Sequence, residues 1–153
     1  MVELVQEQRL DVFVDSFAFS FQESWDADLP VAFPDAFDAD VFVNAFPGRV
    51  DLCSAGHTHT AAVTVQVRDR TPPAEDDAAW DVQGEAEFES VSGDVAVWTP
   101  SLGRTDDLIE LGRKGLWRVR AHCTGRAEIA ELRESEEPVV GVERYLVQFF
   151  PAD

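Results

Sequence analysis

The sequence predicts an all-β fold, mainly antiparallel, closed as a β-sandwich of about seven short strands with little helix. Three observations carry this reading. Short stretches alternate between apolar and polar residues, breaks rich in Pro, Gly and Asp separate them, and only residues 127–137 have a helix-forming composition. A barrel is the alternative closure.

The elements follow in order. From Leu10 to Phe21 the chain reads as one strand, with Phe13, Phe17, Phe19 and Phe21 on one parity and Val12 and Val14 on the other. Residues 22–40 read as a long acidic connection broken by Pro30 and Pro34. Val41 to Phe46 is a short apolar strand closed by Pro47-Gly48. His57 to Arg68 alternates most regularly: Ala61, Val63, Val65 and Val67 on one face, Thr58, Thr60, Thr64, Gln66 and Arg68 on the other. Such a pattern suits an antiparallel strand with one wet face. A polar loop with Pro72-Pro73 leads to Glu85–Val91, the turn Ser92-Gly93 and Asp94–Trp98, which together read as a hairpin. In the loop 99–114, Leu108 to Leu111 reads as a short helical turn. Leu116 to Cys123 alternates again, with Trp117, Val119, Ala121 and Cys123 opposite Arg118, Arg120 and His122. After the helical segment, ended by Pro138, comes a last strand from Glu143 to Phe150.

The length of 153 residues suits a single domain, 1–153, able to bury a core without disulfides. Thirty acidic and 12 basic side chains give a net charge of −18. Residues 1–100 contribute −16 of it, from 20 acidic and 4 basic groups. A field of this sign opposes binding to nucleic acid or anionic membrane and speeds encounter with a basic partner. Solubility, or an acidic proteome, accounts for the acidity equally well; one Lys against eleven Arg fits a GC-rich genome. No signal peptide or membrane span is apparent, which together with only two cysteines, Cys53 and Cys123, leads to a cytoplasmic protein with free thiols.

No catalytic or cofactor motif stands out. His57-x-His59 on a strand would aim two imidazoles one way, and a metal-dependent enzyme using them is conceivable. No further ligands are tied to the pair by spacing, so no metal or other cofactor is expected. Asp26-x-Asp28 and Asp38-x-Asp40 lack the glycine and the regular ligand series of a calcium loop. Neither Gly-x-Ser-x-Gly nor a phosphate-cradling glycine loop occurs. The stripe Arg118, Arg120 and His122 is better read as paired internally with acidic residues than as a nucleic-acid surface.

The run Leu10-Asp-Val-Phe-Val-Asp-Ser-Phe-Ala-Phe19 resembles the first strand of the competence protein J family, and the order of elements after it is similar too. Gly115-Leu-Trp-Arg-Val-Arg-Ala-His122 and Tyr145-Leu-Val-Gln-Phe-Phe-Pro151 look like segments of β-rich actinobacterial proteins of this length. The resemblance implies a cytoplasmic, non-catalytic inhibitor of a partner nuclease, or an immunity protein, and transfers no individual residue. The expected contacts with a basic protein partner are the acidic loop residues Asp26, Asp28, Asp35, Asp38, Asp40, Glu75, Asp76 and Asp77. A structural subunit of a larger complex is the rival reading. Oligomeric state is not legible.

Overall fold

A computed structural model describes residues 4–23, 37–75, 77–100, 103–132 and 137–152. Ten strands run in chain order: β1 (Leu4–Val14), β2 (Ala18–Glu23), β3 (Val43–Phe46), β4 (Arg49–Cys53), β5 (His59–Arg68), β6 (Val82–Ser90), β7 (Asp94–Thr99), β8 (Gly103–Glu110), β9 (Gly115–Thr124) and β10 (Val140–Pro151). Among the described residues one short helix, α1 (Arg126–Glu131), follows β9, and one 3-10 turn, Asp77–Ala79, precedes β6.

The strands form two five-stranded sheets. Sheet A has the order β1-β5-β10-β9-β6 and sheet B the order β3-β4-β2-β7-β8. Every pairing is antiparallel except β5 with β10. A single apolar cluster lies between the sheets, drawing Val12, Val63, Val119, Val147 and Phe149 from sheet A and Phe19, Phe21, Val50, Val97 and Ile109 from sheet B. The all-β sandwich expected from alternation is the architecture observed.

The two open sides are closed differently. Gln8 donates to the Leu108 carbonyl at 3.1 Å, and Gln6 to that of Glu110, tying β1 to β8. On the opposite side β6 meets β3 so closely that a Cβ at Gly84 would lie 2.9 Å from the Val43 side chain. Residues 69–75 and 77–81 then cross the outer face of sheet A as a strap. Arg120 donates to the Pro72 carbonyl at 3.1 Å, and the Trp80 ring lies 5.5 Å from that of His122. This cover explains why β10 is buried on both faces, Leu146, Gln148 and Phe150 as well as Tyr145, Val147 and Phe149.

Several expectations are corrected. Leu10–Phe21 is two strands, β1 and β2, in different sheets, joined by a turn in which Ser16 and Phe17 have φ of 54° and 64°. The parity therefore breaks: Phe19 and Phe21 are buried while Phe13 and Phe17 are exposed. Glu85–Val91 and Asp94–Trp98 are not a hairpin, since β6 and β7 lie in opposite sheets. The 91–93 segment arches between them, held by the Glu23 carboxylate, which accepts from the Val91 N–H and the Ser92 hydroxyl. Leu108 to Glu110 is part of β8, not a helical turn. The strand begun at His57 starts at His59, and the helix expected over 127–137 is the six-residue α1, with 133–136 outside the described residues. Splitting the first strand and adding β4 and β8 raises the expected seven to ten.

Candidate functional site

Of the eight acidic residues expected to meet a partner, Asp26, Asp28, Asp35 and Asp76 lie outside the described residues. Asp38 and Asp40 lie in the turns that lead into β3, both exposed. An Asx turn sets this segment: the Asp38 carboxylate accepts the Asp40 N–H at 2.9 Å. Asn44 fixes the loop from below, accepting the Asp38 N–H and donating to the Asp38 and Val41 carbonyls at 3.0–3.1 Å. Glu75 is half-buried in the strap, and Asp77 opens the 3-10 turn.

Both groups border the side where β3 meets β6. Ala74, beside Glu75, lines a cleft of about 360 Å³ with Gln83, Gly84, Glu85 and Arg120. A Cβ at Gly84 would in turn contact Phe42 and Val43, which follow Asp38 and Asp40 closely in sequence. Among the described residues no ion pair neutralises Asp38, Asp40 or Glu75. Two arginines of the sheet A face are engaged elsewhere, Arg118 with Glu85 and Glu87, Arg120 with Glu85 at 3.0 Å. The basic stripe is thus paired internally, as its position among acidic strands suggests.

The histidine pair does not act as a unit. His57 is exposed in the bend before β5, its ring edge-on to Phe17 at 5.0 Å, whereas His59 is buried at 3% exposure. Among the described residues no three or more His, Cys, Asp or Glu side chains converge as metal ligands.

A second constellation is interior and was not anticipated. Glu143, near the start of β10, is fully buried, and close by the Phe42 ring stacks on Tyr145 at 6.2 Å. Its Oε1 accepts from the Ser54 hydroxyl at 2.6 Å and from the Tyr145 hydroxyl at 2.7 Å; its Oε2 accepts the Ala55 N–H at 3.0 Å. The Arg126 guanidinium stands 3.7 Å from Oε2, stacks over Phe42 and donates to the Cys53 carbonyl. Burial, reinforced by Asp51, pushes the Cys53 thiol up to about 11; burial, reinforced by Glu143, pushes Cys123 to about 12. Both thiols are free and, at neutral pH, protonated and poor nucleophiles.

Ser54, His59 and Glu143 have the residue types of a hydrolytic triad, but not its wiring. A relay needs one imidazole nitrogen on the hydroxyl and the other on the carboxylate. Here His59 Nε2 faces both, Ser54 at 2.9 Å and Glu143 at 3.5 Å, and Nδ1 is buried with no hydrogen-bond partner. Ser54 is itself 6% exposed and donates directly to the carboxylate. The cluster ties the β4–β5 bend, α1 and β10 together.

Among solved structures the chain is similar to that of ComJ, inhibitor of the DNA degrading activity of NucA, from Bacillus subtilis. The TM-score is 0.63 at 12% identity, over 99% of both chains. The likeness is one of fold. The protein of crocagin biosynthetic gene J is also similar, with a TM-score of 0.60 and 17% identity over 97% of this chain and 100% of that one. No protein-family model and no curated protein sequence matches.

On this ComJ-like fold the interior polar cluster ties the joints between elements. The cluster left one sequence signal: Glu143 shares parity with Tyr145, Val147 and Phe149, so a carboxylate heads an inward-facing apolar row. Its partners are as many as 89 residues away, which no local motif records.

Proposed function

We propose that the chain is a non-catalytic binding protein, an inhibitor or immunity protein that occludes a basic protein partner such as a nuclease or toxin. The observation that carries this reading is the full-length fold likeness to a protein that inhibits a DNA-degrading activity. The carboxylates Asp38, Asp40 and Glu75, which no ion pair among the described residues neutralises, support it, standing in for the phosphates that a nuclease site would otherwise hold. Asp26, Asp28, Asp35, Asp76 and Asp77 extend the same acidic set in sequence. Exposed Phe13 and Phe17 are available as apolar anchors, which supply affinity where rim charges supply rate.

The test is capture on the immobilised chain, stepwise salt elution and mass spectrometry, followed by titration of the purified captured protein's activity. A basic protein inhibited at one-to-one stoichiometry is expected, with inhibition weakened at least tenfold by the double variant D40K/E75K. Capture of acidic or neutral proteins only, or inhibition untouched by charge reversal, contradicts the reading. The same exposed Phe13, Phe17 and Val140 favour a second reading, a subunit of a larger assembly. Sizing of the pure protein separates the two, because assembly requires a stable multimer without a partner.

A further inference from the structure

The strap leaves a second cleft on the outer face of sheet A, about 300 Å³, lined by Ala62, Thr64, Ala79, Trp80, Thr124 and Arg144 among others. The strand registers explain how it is assembled. Arg144 pairs with Ala62 of β5 and with Thr124 of β9, so these three form one row across the sheet. The next row on this face is Thr64, Leu146 and His122, about 7 Å along the strands. Trp80 stands over His122 and so roofs the second row.

Each polar side chain named here offers a hydrogen: the Arg144 guanidinium, the Trp80 indole N–H and the two threonine hydroxyls. Among the described residues no carboxylate lines the cleft, although acidic residues outnumber basic ones 30 to 12 in the chain. The Trp80 indole nitrogen is buried and, among the described residues, has no hydrogen-bond partner. Buried donors are rarely left so, because each lost bond costs about 1–3 kcal/mol. Arg144 is exposed and, among the described residues, has no ion pair, whereas Arg118 and Arg120 on the same face are both bound to glutamates.

We propose that this cleft binds a small anion presenting a carboxylate or a phosphate. The planar fork of Arg144 takes two of its oxygens, a threonine hydroxyl donates to one of these or, in a phosphate, to a third, and Ala62, Ala79 and the Trp80 ring hold a short apolar body. The cleft lies on the strap's β5–β10 side, with Ala79 and Trp80 close in sequence to Asp77, and none of Asp38, Asp40 and Glu75 lines it.

The experiment follows the indole N–H signals of the ¹⁵N-labelled protein, with that of Trp80 assigned by W80F. Sodium phosphate and sodium benzoate are titrated separately, against sodium chloride at matched ionic strength. A saturable shift of the Trp80 signal beyond the chloride control is expected with at least one of them, and R144Q should weaken it at least tenfold. Response to phosphate alone assigns a phosphate-bearing ligand, and response to benzoate alone an organic acid. Response to both assigns an anion site tolerant of either. Arg144 is exposed, so the remaining spectrum of R144Q should be that of a folded protein; T124V serves as a second variant if it is not. No shift beyond chloride, or a shift of equal strength in R144Q, overturns the proposal.

Discussion

A carboxylate without solvent contact is costly unless donors surround it, and Glu143 has Ser54, Tyr145 and the Ala55 N–H on its oxygens with Arg126 close by. His59 sits beside this group in a different balance. Burial lowers its pKa, and the attraction of Glu143 offsets this only in part. Folded His59 is therefore neutral at pH 7, while a histidine of the unfolded chain binds its proton as pH falls through about 6.5. Below that point the unfolded state holds more protons, so the stability tied to His59 is lost as pH falls from about 6.5 to the lower folded value, then levels off. Urea unfolding of the parent and H59Q from pH 7.5 to 5 measures this directly. The parent's stability relative to H59Q should shrink on acidification; a difference that stays constant across the range means that His59 is not held neutral by burial. Neither role could be read from the sequence, where His59 looks like half of a metal pair with His57.

At the level of elements, the joints between sheets decide the fold more than the strands do. Gly125, between β9 and α1, has φ +84° and faces the β10 backbone: an added Cβ would lie 2.1 Å from the Val142 carbonyl oxygen. Gly112 has a comparable φ of +93° with nothing within 4 Å. G112A should then lose about 1–2 kcal/mol from conformation alone, and G125A about 3 kcal/mol or more because the chain must also move. Denaturant midpoints of the two variants test the comparison, and equal losses would mean that the approach of β10 to Gly125 relaxes at no cost. The strands were legible where one face is wet. In β5 the buried row Ala61, Val63, Val65 and Val67 is the apolar row of the sequence. β4 was not, because Arg49 and Asp51 are buried as an ion pair at 2.7 Å and break the apolar pattern. β8 was not either, since its half-exposed Arg-Thr-Asp-Asp stretch lacks a clear apolar face. The turn between β1 and β2 escaped notice because Ser16 and Phe17, rather than glycines, adopt its positive φ.

For the whole molecule the relevant quantity is the field. The net charge of −18 is the excess left after all 12 basic groups are counted, and the described ion pairs lie on the β6–β9 strands and in the interior more than on the Asp38–Asp40 turn. A field of this kind acts over about one Debye length, about 10 Å at 0.1 M salt, and contributes to encounter before contacts form. If the molecule binds a basic partner through that field, salt should act on the two rate constants unequally. Between about 50 and 500 mM NaCl the association rate constant should fall at least tenfold, while the dissociation rate constant, set by packed contacts, should change much less. Stopped-flow or surface-based kinetics with the captured partner measures both. The variant D40K/E75K should lower the association rate at 50 mM and flatten its dependence on salt, leaving dissociation nearly as in the parent. An association rate indifferent to salt, with the whole effect in dissociation, would make the acidity a property of solubility rather than of recognition, and the partner surface would then have to be sought at the exposed Phe13 and Phe17.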